Sequence, residues 1–377
     1  MSMRKLMIAL AVVALFVAAC GSDTEDTTTT TAAAADTTTT TEMMEETTTT
    51  TTMADMHADW PDKIVFGFVP SQEQEKLQDN IDPFVTVLEE ALGIEVEGVV
   101  TTDYTGLVTA MGTGQADVGA FGPFGYVLAE QQFPNLEVLI QSIRYGAATY
   151  HGQWFTNDPS ICEETPAPGA FETVDGVVTL LGPTDTAALQ VGWTPDGEQD
   201  VTEDGTPIDP GLACNASLDS VAGKTVAFTT ETSTSGYVFP ALQLINLGID
   251  PESDITPTFT GGHDGAVTAV YNGDADFGVS FDDARSTIAD TYPDVGSKVI
   301  VFNITDEIPN DVVAVRGELP DTLKDAIYDA IDAYLATDEG QQVFGDIYEW
   351  TAIRRANDAD FDVVRDAAVK LGITEPD

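Results

Sequence analysis

GTGQADVGAF, residues 112–121, and YNGDADFGVSF, residues 271–281, follow one order of elements. In each, a glycine closes a helical stretch, Ala-Asp follows, and a short run of apolar and small residues reads as a strand. Upstream of the first lies DYTGLVTAMGTG, a short helix with Asp103 as its cap. Upstream of the second lies GHDGAVTAVYN, again helical. The same order twice predicts two α/β units of similar build.

The flanking sequence extends the alternation. DKIVFGFVP reads as a strand ending in a Pro70-Ser71 turn. DPFVTVLEEALG places Phe84, Leu88 and Leu92 on one helical face, with Asp82 as N-cap, Pro83 in the first turn and Gly93 as the stop. IEVEGVVT is the next strand, and ADVGAFGP is a strand running into a Gly-Pro loop. Near the C-terminus, residues from Pro320 to Leu335 form a helix whose core stripe is Leu323, Ile327, Ile331 and Leu335, with Pro320 in its first turn. Residues 157–217, rich in Pro, Gly and acids, break the pattern and read as a surface insertion. VVTLLG and AALQVGW at its centre are expected to pair as a small hairpin.

The chain has 377 residues and opens MSMRKLMIALAVVALFVAAC, a basic start followed by an apolar run. Residues 1–19 read as a secretory signal peptide, too short and wrongly flanked for a spanning helix. VAAC followed by Gly resembles a bacterial lipobox, which implies cleavage before Cys20 and lipidation of its thiol. Residues 20–59, mostly Thr with Ala and acids, bury too little apolar surface to fold and read as a tether. Past Cys20 no stretch is long and apolar enough to span a bilayer. Acids number 64 against 14 Lys and Arg, spread throughout the chain. That field makes nucleic acid and anionic lipid surfaces poor partners. Cys162 and Cys214 frame the insertion in an exported chain, where disulfides persist. A bridge between them closes a loop of roughly 50 residues and contributes ~4 kcal/mol on the chain-entropy model.

FTTETSTSGYVFP, residues 228–240, crowds hydroxyls where a helix opens around Ser235 or Gly236. A helix start offers unpaired N–H groups and the positive end of the dipole. Ser233, Thr234 and Ser235 add hydroxyl donors, giving an anion cradle without Lys or Arg. Ordinary N-capping needs a single hydroxyl, which leaves the others unexplained. His263 opens a helix between Gly262 and Asp264 and reads as a ligand donor, an N-cap or a surface residue. By residue type alone, Tyr104 reads as core or interface, Tyr126 as core and Asp311 as a turn residue.

FGFVPSQEQEKL, TTDYTGLVTAMGTGQADVGAFGPFGYVLA, TSTSGYVFPALQLINLGIDPE, GGHDGAVTAVYNGDADFGVSFDDAR and IPNDVVAVRGELP together resemble the phosphate/phosphite/phosphonate-binding proteins of bacterial ABC importers. The resemblance implies a type II periplasmic-binding-protein fold: two lobes, each a mixed sheet flanked by helices, joined by two crossing strands, with ligand in the cleft. On this sequence, residues 60–149 and 304–377 form one lobe and 150–303 the other. The resemblance implies a phosphorus oxyanion held by Ser233, Thr234, Ser235, His263, Tyr104 and Tyr150, with acids near it at Asp283 and Asp311. An acid at Asp283 fits a ligand ammonium group and leans toward an aminophosphonate; phosphate and phosphite stay open. The implied partners are the permease and its ATPase, with a monomer anchored through Cys20 and no cofactor. The insertion after Tyr150 departs from the family pattern.

Presentation of a ligand to a sensor or chemoreceptor, and binding of another solute, are the alternatives. A Ser/His/Asp hydrolase is disfavoured, because no Gly-x-Ser-x-Gly elbow occurs. No His-Glu-x-x-His or Cys-x-x-Cys spacing and no Walker A sequence is present.

Overall fold

The structure is a computed structural model that describes residues 57–174, 177–181, 190–194 and 197–374. The leader, Cys20 and the Thr-rich tract up to residue 56 lie outside the described residues. His57, assigned above to the tether, stacks on Trp60 at 3.7 Å. Among the described residues no helix is long and apolar enough to cross a membrane.

The chain begins with β1 (Lys63–Phe68), α1 (Gln74–Leu92), β2 (Glu95–Val100), α2 (Tyr104–Thr113), β3 (Val118–Phe121), α3 (Pro123–Gln132) and β4 (Leu136–Ile143). It then crosses through β5 (Thr149–Tyr150) into β6 (Gly152–Thr156). The insertion supplies β7 (Ala167–Pro168), β8 (Ala170–Val174), β9 (Val177–Leu181) and β10 (Leu212–Ala213). The second unit follows as β11 (Thr225–Phe228), α4 (Phe239–Asn246), β12 (Thr256–Phe259), α5 (His263–Asn272), β13 (Phe277–Phe281), α6 (Val295–Lys298) and β14 (Ile300–Ile304). The chain returns through β15 (Ile308–Pro309) to β16 (Val312–Arg316), α7 (Asp321–Leu335), α8 (Asp338–Tyr348), β17 (Ala352–Arg355) and α9 (Asp362–Lys370).

One sheet has the order β17-β4-β16-β3-β1-β2 and the other β12-β11-β13-β6-β14-β10-β7. In the first, β1 lies parallel to β2 and β3, and β16 runs antiparallel to β3 and β4. In the second, β11 lies parallel to β12 and β13, and β6 runs antiparallel to β13 and β14. The two sheets thus repeat one pattern, each completed by a strand that has just crossed from the other half. The crossing segments β5 and β15 pair with each other.

The repeated Ala-Asp has a structural cause. The helix before it ends at a left-handed glycine, Gly114 at φ 72° and Gly273 at φ 79°, where a side chain would be strained. The aspartate then accepts from the first strand of its own half: Asp117 Oδ2 from Val65 N–H of β1 at 2.9 Å. Asp276 Oδ2 accepts from Thr225 N–H at 2.9 Å in the second half. Each aspartate's own N–H donates back to the same residue's carbonyl, Val65 at 2.8 Å and Thr225 at 3.0 Å. The echo in the sequence is the clasp that sets strand register twice.

Packing against the first sheet follows the apolar periodicities. Leu77, Ile81, Phe84, Leu88 and Leu92 of α1 join Phe66 and Phe68 of β1 and the α7 stripe Leu323, Ile327, Ile331, Leu335 in one core. Each such side chain contributes ~1.5–3 kcal/mol when fully buried. The α1 boundary corrects the expectation: the helix starts at Gln74, and Pro83 lies inside it. The apolar stripe runs through the proline, so tertiary packing holds the helix across the lost hydrogen bond. The insertion is stapled by Cys162–Cys214 with a Cα separation of 5.7 Å. Its hairpin also differs from expectation, since β9 pairs with β8. Part of AALQVGW lies outside the described residues.

Candidate functional site

Strand β1 ends before Val69 and β3 before Gly122 in one sheet, and β11 of the other leads into the hydroxyl cluster, so the carboxyl ends of parallel strands from both sheets meet at one place. Ligands of α/β sheets collect there. Four helices begin there too. Tyr104 is the first residue of α2, Gly122 caps α3, Ser233 caps the turn leading into α4, and His263 opens α5. All four residues line a single cavity of about 50 Å³. That is room for a small tetrahedral anion or a few waters.

The hydroxyl cluster is more elaborate than a plain helix start. Residues Thr234–Val238 form a π turn that precedes α4. Ser233 Oγ accepts from Gly236 N–H at 3.1 Å, as an N-cap does. Thr234 Oγ1 accepts from Phe124 N–H at 2.9 Å, a bond from the second half to the first. Both hydroxyls keep their protons for another acceptor. Ser233, Thr234 and Ser235 are all buried. Gly236 has to be glycine, because a Cβ there would run into the Thr229 side chain.

Around these donors stand the other expected residues. Tyr104, Tyr150, His263 and Asp311 line the same cavity. His263 Nδ1 lies 2.6 Å from Ser280 Oγ, and its backbone N–H donates to Ser71 carbonyl at 2.9 Å across the cleft. Burial, helped by Arg144, lowers the imidazole pKa to about 3, so the ring is neutral at physiological pH. Burial pushes both tyrosines up, with Asp311 adding to each; the Ser235 hydroxyl pulls Tyr150 partly back. Asp311 accepts from Trp350 Nε1 at 3.4 Å. Burial raises its pKa against the opposing pull of Arg144 and of that bond. Tyr126 lies elsewhere, in the core as expected, with its hydroxyl donating to Asp358 at 2.7 Å.

Asp283 corrects the expectation. Arg285 Nε donates to its Oδ1 at 2.9 Å and Nη2 to its Oδ2 at 2.7 Å. Val191 N–H from the insertion also donates to Oδ2, at 3.1 Å. The carboxylate is saturated, two residues from its partner, and is not among the residues lining the cavity. It anchors the insertion.

Arg144 and Glu349, both absent from the sequence-based set, do line the cavity. Arg144 Nη2 donates to Glu349 Oε2 and, at 3.4 Å, to Asp282 carbonyl. The guanidinium lies over the rings of Tyr150 and Phe281 at 5.3 and 5.0 Å. Burial pulls the Arg144 pKa down, but Glu349, Asp282 and Asp311 outweigh it and hold the charge on. Among the described residues, Tyr145 and Glu349 are the two non-glycine residues at positive φ, 49° and 59°. Glu349 is one partner of this ion pair and Tyr145 follows the other, so uncommon backbone geometry is concentrated where the pair is positioned. A sequence signal existed: a cation between apolar residues and Tyr-Gly in a chain poor in cations. No group of three or more His, Cys, Asp or Glu placed to hold a metal occurs among the described residues.

Two similar α/β units, crossed by paired strands and closing on a cavity of helix starts, define a type II periplasmic binding protein. Solved structures agree on the fold. PhnD1 from Prochlorococcus marinus, in complex with methylphosphonate, matches at TM-score 0.62 and 18% identity over 83% of this chain and 100% of that one. A binding protein component of an ABC phosphonate transporter from Pseudomonas aeruginosa matches at TM-score 0.61 and 20% identity, over 83% and 87%. In sequence, the phosphate-import protein PhnD of Mycolicibacterium smegmatis is 29% identical over 230 residues, 59% of this chain and 56% of that relative. The phosphonates-binding periplasmic protein of Escherichia coli is 22% identical over 84% of this chain and 79% of its own length. The model for the periplasmic substrate-binding protein of phosphonate ABC transporters matches residues 66–361. The chain belongs to that family.

Proposed function

We propose that this protein captures a phosphorus oxyanion outside the cell and hands it to the membrane permease of an ABC importer, which a separate ATPase drives. The observation that carries the reading is the convergence of four helix N-termini on one small buried cavity. Their free N–H groups and dipoles favour an anion. Ser233, Thr234, Ser235, Tyr104 and Tyr150 donate through hydroxyls. A Ser280 hydroxyl donating to Nδ1 of His263 leaves that ring's proton on Nε2, a further donor. Asp311 is the acceptor, matched to a ligand that still carries a proton. The relatives' names, phosphate import in one and phosphonate binding in the other, both fall within this class.

The site binds and does not react. His263 pairs with Ser280 and not with the hydroxyl cluster, which supports a binding site over a nucleophile–base pair. Residues 1–19 serve as the export signal, Cys20 carries the lipid, and residues up to about 59 tether a monomer to the outer face of the cell membrane. Residues 60–149 and 304–377 move as one lobe against 150–303.

Calorimetry with phosphate, phosphite, methylphosphonate and sulfate tests the reading. Sulfate carries no proton near neutral pH, so it meets the Asp311 carboxylate without a donor between them. Burying an unpaired acceptor costs about 1–3 kcal/mol, more when charged. Sulfate is expected to bind at least ~100-fold more weakly than the best phosphorus oxyanion. Asp311→Asn, whose amide can donate, should narrow that gap. Sulfate binding as tightly as every phosphorus oxyanion would remove both the role of Asp311 and the ligand class.

A further inference from the structure

We infer that Arg144 fixes the specificity of the cavity, so that it admits compact phosphorus oxyanions and refuses phosphonates carrying a cationic amine. The inference rests on the oxyanion reading above and narrows it. A ligand ammonium needs a carboxylate partner. Asp283, the acid expected to serve, is saturated by Arg285 and is not among the cavity-lining residues. Glu349, which does line it, is paired with Arg144. The Asp282 carbonyl accepts from the same guanidinium, and the Asp282 carboxylate accepts from His151 N–H at 3.1 Å. Asp311, the remaining acid of the cavity, is the acceptor for the proton on the oxyanion itself, so no cavity carboxylate is left for an amine.

The guanidinium cannot readily swing aside. It lies over Tyr150 and Phe281 at 5.3 and 5.0 Å, an arrangement in which cation–π attraction adds to the ion pair. An amine brought into this cavity of about 50 Å³ would face a fixed like charge in a poorly solvated space. For an oxyanion the same group is an asset. Among the described residues no acceptor lies within reach of the buried Arg144 Nε–H, and a ligand oxygen would supply one. Ser71 Oγ, also buried beside the cavity, is in the same condition.

The test is calorimetry on the whole lipidated chain in detergent, with methylphosphonate and 2-aminoethylphosphonate as probes sharing one head group. Wild type should prefer methylphosphonate by at least ~100-fold, the scale of a buried like-charge contact. Arg144→Met should weaken methylphosphonate and shrink the preference by at least ~10-fold, because Glu349 is freed for the amine. Arg144→Lys keeps a positive charge and should go on refusing the amine while binding methylphosphonate less well. It carries the test if the methionine variant does not fold, which thermal denaturation will show. Affinities for the two probes within ~3-fold in wild type would overturn the inference and leave the oxyanion reading standing. An Arg144→Lys variant that accepts the amine as readily as methylphosphonate would also overturn it. Failure of both probes, and of phosphate and phosphite, would remove the oxyanion reading and this inference with it.

Discussion

Thr234 serves both halves of the molecule with one oxygen atom. It accepts the Phe124 N–H at 2.9 Å and keeps its proton for the cavity. Thr234→Val should therefore do more harm than the loss of one ligand contact, because it also strands a buried N–H when the halves meet. A stranded donor costs about 1–3 kcal/mol, so affinity for the best oxyanion should fall ~10–100-fold in calorimetry. His263 makes a different kind of prediction. Its pKa is about 3 in the fold, below the ordinary value of 6.5, because the buried ring resists protonation. The stability tied to the neutral ring is whole above pH 6.5 and is lost as pH falls toward about 3. Burial raises Asp311 and Glu349, which opposes this loss in part. Denaturation between neutral pH and pH 4 should thus be less pH-dependent in His263→Gln than in wild type; an unchanged slope would contradict the buried neutral ring. At this scale, Ser233 to Ser235 were legible because three adjacent hydroxyls exceed what a cap needs. Tyr104, Tyr150 and Asp311 became legible only through resemblance, and the cavity now contains them. Arg144 was missed although a lone cation beside Tyr-Gly marked it, since it bridges to Ala147 across a tight turn and meets Glu349 across a sequence distance that no local pattern spans. Asp283 misled because an arginine two residues on had already claimed it.

Among elements, the Ala-Asp clasp was read correctly as a repeat, and its cause lies in the hydrogen bonds to Val65 and Thr225. The stripe of α7 was equally plain, for an apolar residue at every fourth position has one reading. The start of α1 was missed because Pro83 looks like a helix opening, and only the sheet beneath shows why the helix runs through it. The hairpin partner in the insertion was missed because short apolar runs carry no register of their own. The insertion nevertheless supports a prediction. Cys162 and Cys214 join residues 52 apart in sequence, and neither lines the cavity. Replacing both by Ser should cost roughly 4 kcal/mol of unfolding free energy in urea titrations. The dissociation constant should not move; if it did, the insertion would be coupled to the ligand site through its Val191–Asp283 contact.

At the scale of the whole molecule, the two-unit design was visible in a ten-residue echo, while the manner of closure was not. Closure rests on contacts far apart in sequence: Val238 and Phe239 of the second half share one apolar cluster with Phe361, Val364 and Ala368 near the C-terminus. Two hydrogen bonds also span the cleft, Phe124 N–H to Thr234 and His263 N–H to the Ser71 carbonyl. Both bonds join protein to protein, so breaking them is a step of its own, with a rate that the supply of anion outside does not set. In stopped-flow mixing, followed through the fluorescence of Trp350 beside Asp311, the observed rate should climb with ligand concentration and then level off at the opening rate. Thr234→Val, with one latch cut, should raise that plateau; a rate rising in proportion to concentration without limit would mean that the empty clamp stands open.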